Sequence, residues 1–232
     1  MADPNRALFE SVVHLLGPVL DDLVFVGGCT TGLFVTDPAA VGIRPTKDVD
    51  AIVDVTSYAE YTSLAERLRG LQLREDTTHG APLCRWRRDA MIVDVMPIDE
   101  KVLGFSNRWY PAAVGTAQVH RIAGHDVRVV TPALFLATKL EAFRGRGGGD
   151  MYASHDLEDI VTVIDGRQEI IADVGAAGAD VRAAIASDVR SLLDDADFRE
   201  ALAGFLLPDA ASQARRGLVE ERLHALSDLA SH

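Results

Sequence analysis

Apolar side chains recur at helical spacing over residues 7–20 (ALFESVVHLLGPVL), and the pattern predicts an amphipathic helix. The next segment, 23–28 (LVFVGG), is a short apolar run ending in glycines, which suits a buried strand followed by a sharp turn. Residues 30–35 read as the opening turns of a second helix, and the turn-rich stretch 36–47 (TDPAAVGIRPTK) as a loop. Polar and apolar positions alternate over 48–55 (DVDAIVDV), the signature of a half-buried strand. A helix over 57–69 follows, with Ser57 and Glu60 forming a capping box and Gly70 as its stop. Residues 71–77, 83–88 and 91–98 read as strands, and 120–130 as a hairpin turning at Gly124.

From Pro132 the chain changes character. Residues 132–144, 155–165, 178–193, 196–206 and 213–229 all carry helical periodicity. The expected fold class is therefore α+β: a small mixed sheet with flanking helices over residues 1–130, then a helical C-terminal region over 131–232. No internal repeat is present, and 145–149 (GRGGG) reads as a flexible connection between helices.

Composition leaves this picture in place and narrows the class. With 232 residues, 48% hydrophobic and 25% charged, the chain can bury an ordinary core and needs no disulfide or metal staple. No apolar run is long enough to span a bilayer, and the N-terminus lacks the pattern of a signal peptide. The two cysteines, Cys29 and Cys84, show no metal-ligand spacing, so the expected setting is the reducing cytoplasm with free thiols. The net charge of −12 argues against a general nucleic-acid binder. Its distribution is uneven: residues 85–146 carry 10 basic and 6 acidic side chains, and the segments on either side are acidic. That middle third either tracks a polyanion or is an ordinary fluctuation of surface charge.

The sharpest candidate for chemistry is Asp48 with Asp50. Residues i and i+2 of a strand share a face, so two carboxylates stand side by side while Val49 and Ala51 point the other way. Either this is the solvated face of an edge strand, or a divalent cation such as Mg²⁺ or Mn²⁺ relieves the repulsion. Asp94, set among Ile92, Val93 and Val95, is a strand-end or surface acid unless its strand lies beside the first. In that case three acids form a metal site for phosphoryl transfer. Gly27-Gly28 after a strand is either a plain tight turn or a close approach for phosphate, with Thr30 and Thr31 adding hydroxyls. The spacing is neither a dinucleotide fingerprint nor a P-loop.

Lys139, one of three lysines against twenty arginines, lies near the apolar face of its helix and either snorkels or points at an anion. Asp156 and Asp159 follow Ser154, where first-turn acids suit the helix dipole; alternatively Asp156 orients Lys139 or contacts a nucleotide. Arg85 and Arg87 share one face of their strand with Trp86 on the other, either as a basic edge strand or as a phosphate-tracking strip continued by Arg121, Arg128, Arg144 and Arg146. The seven histidines show no zinc spacing, and no nucleophile triad is legible.

Gly27-Gly28, then Thr46-Lys47-Asp48-Val49-Asp50, then Asp94 on a later strand resemble the polymerase-β-type nucleotidyltransferase superfamily. More narrowly, the run from Arg44 to Asp50, Lys139 within Ala137-Thr138-Lys139-Leu140, and His155-Asp156-Leu157-Glu158-Asp159-Ile160 resemble the AbiEii/MenA-type nucleotidyltransferase toxins of toxin–antitoxin pairs. The resemblance runs from about residue 20 to 166, and the long loop 36–47 absorbs a wider spacing between Gly28 and Asp48 than the compact superfamily pattern has. It implies a nucleotidyltransferase core with Asp48, Asp50 and Asp94 on the metal. It also implies Gly27, Gly28, Thr30, Thr46 and Lys139 at the nucleotide, and Asp156 as a further catalytic acid. The implied reaction moves a nucleoside monophosphate from an NTP to an acceptor hydroxyl, an RNA or tRNA end, with a protein antitoxin as partner and no membrane. A small-molecule nucleotidyltransferase of the aminoglycoside-modifying kind, and a non-catalytic nucleotide- or partner-binding module, are the alternatives.

Overall fold

The computed structural model describes residues 3–40, 42–146 and 150–229. In chain order the elements begin with α1 (Arg6–Leu16), a 3-10 segment (Gly17–Asp22), β1 (Leu23–Val26), a 3-10 turn (Gly28–Thr30), α2 (Thr31–Phe34) and β2 (Val49–Val53). They continue with α3 (Tyr58–Gly70), β3 (Arg74–Glu75), β4 (Arg85–Arg88), β5 (Met91–Pro97), α4 (Glu100–Leu103), α5 (Tyr110–Gly115), β6 (Gln118–Ile122) and β7 (His125–Val129). The rest is helical: α6 (Pro132–Gly145), α7 (His155–Gly166), α8 (Ile170–Gly175), α9 (Ala179–Asp194), α10 (Ala196–Ala201) with a 3-10 turn (Leu202–Phe205), α11 (Ala210–Ala214) and α12 (Arg216–Asp228). The result is a mixed sheet with flanking helices, and helices at the C-terminus. No helix among the described residues is long and apolar enough to cross a membrane. Of the glycine-rich connection, Gly147, Gly148 and Gly149 lie outside the described residues.

The chain divides into two compact units, Ala2–Thr30 with Pro45–Thr131, and Thr31–Arg44 with Pro132–His232. The first holds the whole sheet, in the order β3-β4-β5-β2-β1-β7-β6. β1 has no alternation because it is central: it runs antiparallel to β2 and parallel to β7, and all four of its residues are buried. β2 is central too, between β1 and a parallel β5. Its alternation predicts a half-solvated face, but Ile52 and Val53 are buried along with Val49 and Ala51, and only Asp50 is partly open. That position removes the solvated edge-strand reading of the paired aspartates.

Local signals explain most boundaries. Ser57 and Glu60 form the expected capping box of α3. Gly70 does not stop that helix; it is the last helical residue, and Gln72 two positions on takes the left-handed conformation (φ 64°). The β6–β7 hairpin turns on Ala123 and Gly124, both at positive φ, as a two-residue turn of matching twist demands. The short α4, α5 and α8 escaped the periodicity because four to six residues are too few to display it.

In the second unit, α7 is almost wholly buried. Its last carbonyls would lie unpaired in the interior, and the buried Arg222 of α12 donates to Ile164 O at 2.7 Å and Asp165 O at 2.6 Å. Arg215 ties Asp165 (2.7 Å) to Asp37 (2.8 Å), fastening the 31–44 segment to the same helix end. Replacing Arg222 by alanine should destabilise the protein by about 1–3 kcal/mol by removing this donor from Ile164 O, while Asp165 O keeps Arg215 Nη2 at 3.0 Å. Urea unfolding measures it, and an unchanged midpoint would show that Ile164 O finds another partner.

Candidate active site

The acids are brought together by strand register. Asp50 of β2 is level with Asp94 of the parallel β5, and Asp94 is opposite Arg85 of the antiparallel β4. Level neighbours present side chains to the same face, so Asp50, Asp94 and Arg85 form a row across three strands with Asp48 just before β2 on the same face. Trp86 points to the other side and is fully buried.

Asp94 is only 6% exposed, and a carboxylate there needs a partner. Arg85 supplies it as a fork: Nε donates to Asp94 Oδ1 at 2.8 Å and Nη2 to Oδ2 at 2.7 Å. The same Nη2 also donates to Asp48 Oδ2 at 2.9 Å. Hydrogen bonding to Asp94 raises the Arg85 guanidinium above its already high ordinary value, so its charge is permanent. The other oxygen of Asp48, Oδ1, accepts from the Thr46 hydroxyl at 2.9 Å.

The double-glycine turn abuts this row. Gly27 has φ +72°, and a Cβ there would fall 2.0 Å from Asp50 Oδ2, so both conformation and contact require glycine. The following 3-10 turn is self-contained: Thr30 is fully buried and its hydroxyl donates to Gly27 O at 2.8 Å. Asn5, 1% exposed, joins the turn to the acids. Its Oδ1 accepts the Thr46 N–H at 2.8 Å, and its Nδ2 donates to Gly28 O across a long 3.5 Å. Gly27, Gly28, Thr46, Asp48, Asp50 and Asp94 thus belong to one constellation within the sheet unit.

Lys139 and Asp156 belong to the helical unit. Asp156 and Asp159 sit one turn apart on α7, only 3% and 1% exposed. Lys139 Nζ lies between them, 3.1 Å from Asp156 Oδ1 and 2.7 Å from Asp159 Oδ2. Arg146 also binds Asp156, and Arg44 binds Asp159 at 3.1 Å. Lys139 therefore points at anions and does not snorkel. Ser154 caps α7 through Leu157 N–H as expected, while Asp156 serves the lysine.

The basic strip is interrupted. Arg85 and Arg87 are on β4, next to one edge, while Arg121 and Arg128 are on the hairpin at the opposite end of the strand order. Several of its members are held locally: Arg87 by Asp76 (3.4 Å), Arg121 by Asp126 (2.7 Å) and Arg144 by Asp188 (2.6 Å). Arg85 as counter-ion, Asn5, Arg44 and Asp159 are the participants that sequence reasoning left without a role. For Arg85 a signal existed. Counting back from the two-residue turn Asp89-Ala90, with Arg88 against Met91, places Arg85 against Asp94.

Hard carboxylate oxygens suit Mg²⁺ or Mn²⁺. Among the described residues, however, no group of three or more His, Cys, Asp or Glu side chains is arranged to hold a metal ion. Asp94 is buried in the two-point Arg85 fork, its side chain 9% exposed, whereas the Asp48 side chain is 31% exposed and Asp50 is partly open, so Asp48 and Asp50 are the more accessible pair with the chemistry for a divalent ion.

No family model matches the chain, and no curated protein matches it. Among solved structures it is similar to the crystal structure of an antigenic nucleotidyltransferase-like protein from Paracoccidioides brasiliensis. The identity is 21% and the TM-score 0.49, over 87% of this chain and 93% of that one.

Two consequences of this geometry are measurable. Gly27→Ala forces Asp50 out of place against a disfavoured φ, and should cost roughly 2–4 kcal/mol in chemical denaturation. A loss within 0.5 kcal/mol would deny the contact its importance. Burial, and then the charge of Asp94, push the Cys84 thiol up to about 12. At pH 8 only about one molecule in ten thousand then carries the thiolate, so Cys84 should resist a disulfide reagent until the protein unfolds. Prompt labelling in the native state contradicts that.

Proposed function

We propose that the protein is a nucleotidyltransferase that moves a nucleoside monophosphate from an NTP to an acceptor hydroxyl. One observation carries the reading: Asp50 on a central strand and Asp48 just before it share one face, with Asp50 packed directly on the Gly27 turn. An acidic pair beside a glycine turn is what a metal-bound triphosphate needs, one part for the cation and the other for close approach of phosphate. Asp48 and Asp50 would hold Mg²⁺ or Mn²⁺, which when bound supplies charge neutralisation on the phosphates. The acceptor hydroxyl releases its proton to solvent as its oxygen attacks the α-phosphorus, the bond from that phosphorus to the bridging oxygen breaks, and pyrophosphate leaves. Positioning and electrostatics account for most of the catalysis. Thr46 and Asn5 fix Asp48 and the turn, and Lys139, held by Asp156 and Asp159, is the nucleotide-contacting lysine of this reading.

For the acceptor we favour an RNA or tRNA end, with the protein acting as a toxin opposed by a protein antitoxin. What supports this is the motif resemblance across residues 20–166 together with the net basic sequence of residues 85–146. The cytoplasm fits two buried, free thiols. A specific observation favours a second reading, a small polycationic acceptor such as an aminoglycoside: Arg87 and Arg121 are each neutralised by an acid, so the basic character of the middle third is muted.

Incubation with each α-³²P NTP, Mg²⁺ and total RNA should label RNA with the wild type, and Asp48→Ala should lower the label at least a hundredfold. Label entering an aminoglycoside instead selects the second reading. No transfer to either acceptor class with any NTP leaves the non-catalytic binding module standing and sinks the proposal.

A further inference from the structure

We infer that Arg85 is a resident counter-cation that withholds Asp48 from free divalent metal, so that the metal reaches this face together with the nucleotide. The inference rests on the reading that Asp48 and Asp50 receive the ion. It goes beyond that reading by giving the site an order of loading and Arg85 a part in it.

The geometry is specific. A single nitrogen, Arg85 Nη2, serves two acids, Asp94 Oδ2 at 2.7 Å and Asp48 Oδ2 at 2.9 Å. Nε fastens the guanidinium to Asp94 Oδ1 at 2.8 Å, so the group is anchored at one end and shared at the other. Asp94 is the buried partner, its side chain 9% exposed, whereas the Asp48 side chain is 31% exposed. The buried bidentate contact is the one expected to persist, and the open single contact the one expected to yield. An ion approaching Asp48 alone must displace that contact and then stand beside a fixed positive charge, which lowers its affinity. A triphosphate reverses the balance. It brings its own oxygen ligands and several negative charges, and the guanidinium freed from Asp48 has an anion to face. Asp94 then acts through Arg85 as a positioning residue and is not itself a metal ligand.

The test is Mn²⁺ binding to the full chain, followed by the magnetic resonance signal of free Mn²⁺. Wild type should bind weakly, and Arg85→Gln should bind about three- to fivefold more tightly, the order expected for releasing one partly exposed ion pair. Arg85→Lys, which keeps the charge, should stay within about 1.5-fold of wild type. Adding a non-hydrolysable α,β-methylene NTP, each base in turn, should tighten Mn²⁺ binding by wild type. Mn²⁺ affinity that Asp48→Ala abolishes but Arg85→Gln leaves unchanged overturns this inference alone. No Mn²⁺ binding by any of these proteins, with or without analogue, overturns the underlying reading as well. Should Arg85→Gln fail to fold, the wild type still decides. With analogue present, the Arg85 Nε–H resonance should shift on titration with Mg²⁺, at the midpoint of metal binding, and a resonance that stays fixed at saturation contradicts the proposal.

Discussion

Three carboxylates on one face of neighbouring central strands cannot stand together without positive charge among them. In this protein Arg85 provides it, and much of the sheet unit is arranged around that fact. The β4–β5 register sets Arg85 opposite Asp94, and the β2–β5 register sets Asp94 level with Asp50. Asp50 in turn occupies the space where a side chain at residue 27 would lie, which makes the glycine obligatory. Asn5 and Thr46 complete the arrangement by tying the turn and Asp48 to each other. Gly27 therefore has a structural necessity that precedes any ligand.

The helical unit solves a similar problem in the same way. Asp156 and Asp159 are more deeply buried than Asp48 or Asp50, and they are balanced by Lys139, Arg44 and Arg146. Breaking one side of such a cluster leaves an uncompensated charge in the interior, so these residues carry structural weight whatever else they do. Arg222 and Arg215, at the other end of α7, show how this acidic chain uses arginine repeatedly to satisfy buried oxygens. The long-range arginine contacts of this unit are thus internal ones, consistent with a net charge of −12 that includes many acids with nearby partners.

What the sequence disclosed follows the range of the physics involved. The hairpin at Gly124, the capping box at Ser57, the helical C-terminal third and the shared face of Asp48 and Asp50 depend on residues a few positions apart, and all were legible. The depth of β2 was not, since burial of Ile52 and Val53 on a central strand is set by which strands flank it. Lys139 could be read only as pointing somewhere or nowhere, because its partners lie 17 and 20 residues on, across a helix–helix packing. Asn5 gave no sign at all: a single asparagine before a helix looks like a cap, and its actual partners are Gly28 and Thr46. Arg85 lay between these cases. Its pairing with Asp94 was recoverable from the turn at Asp89, but an arginine in a basic cluster invites attention to outside anions and away from the acid nine residues later.

The central claim is that Asp48 and Asp50, beside the Gly27 turn, receive a metal-bound triphosphate. The most direct measurement is a crystal structure of the full chain with Mn²⁺ and an α,β-methylene NTP, recorded at a wavelength where manganese scatters anomalously. The account predicts an anomalous peak bonded to oxygens of both Asp48 and Asp50, with the phosphates against residues 27 and 28. A bound nucleotide whose manganese touches neither carboxylate would contradict it.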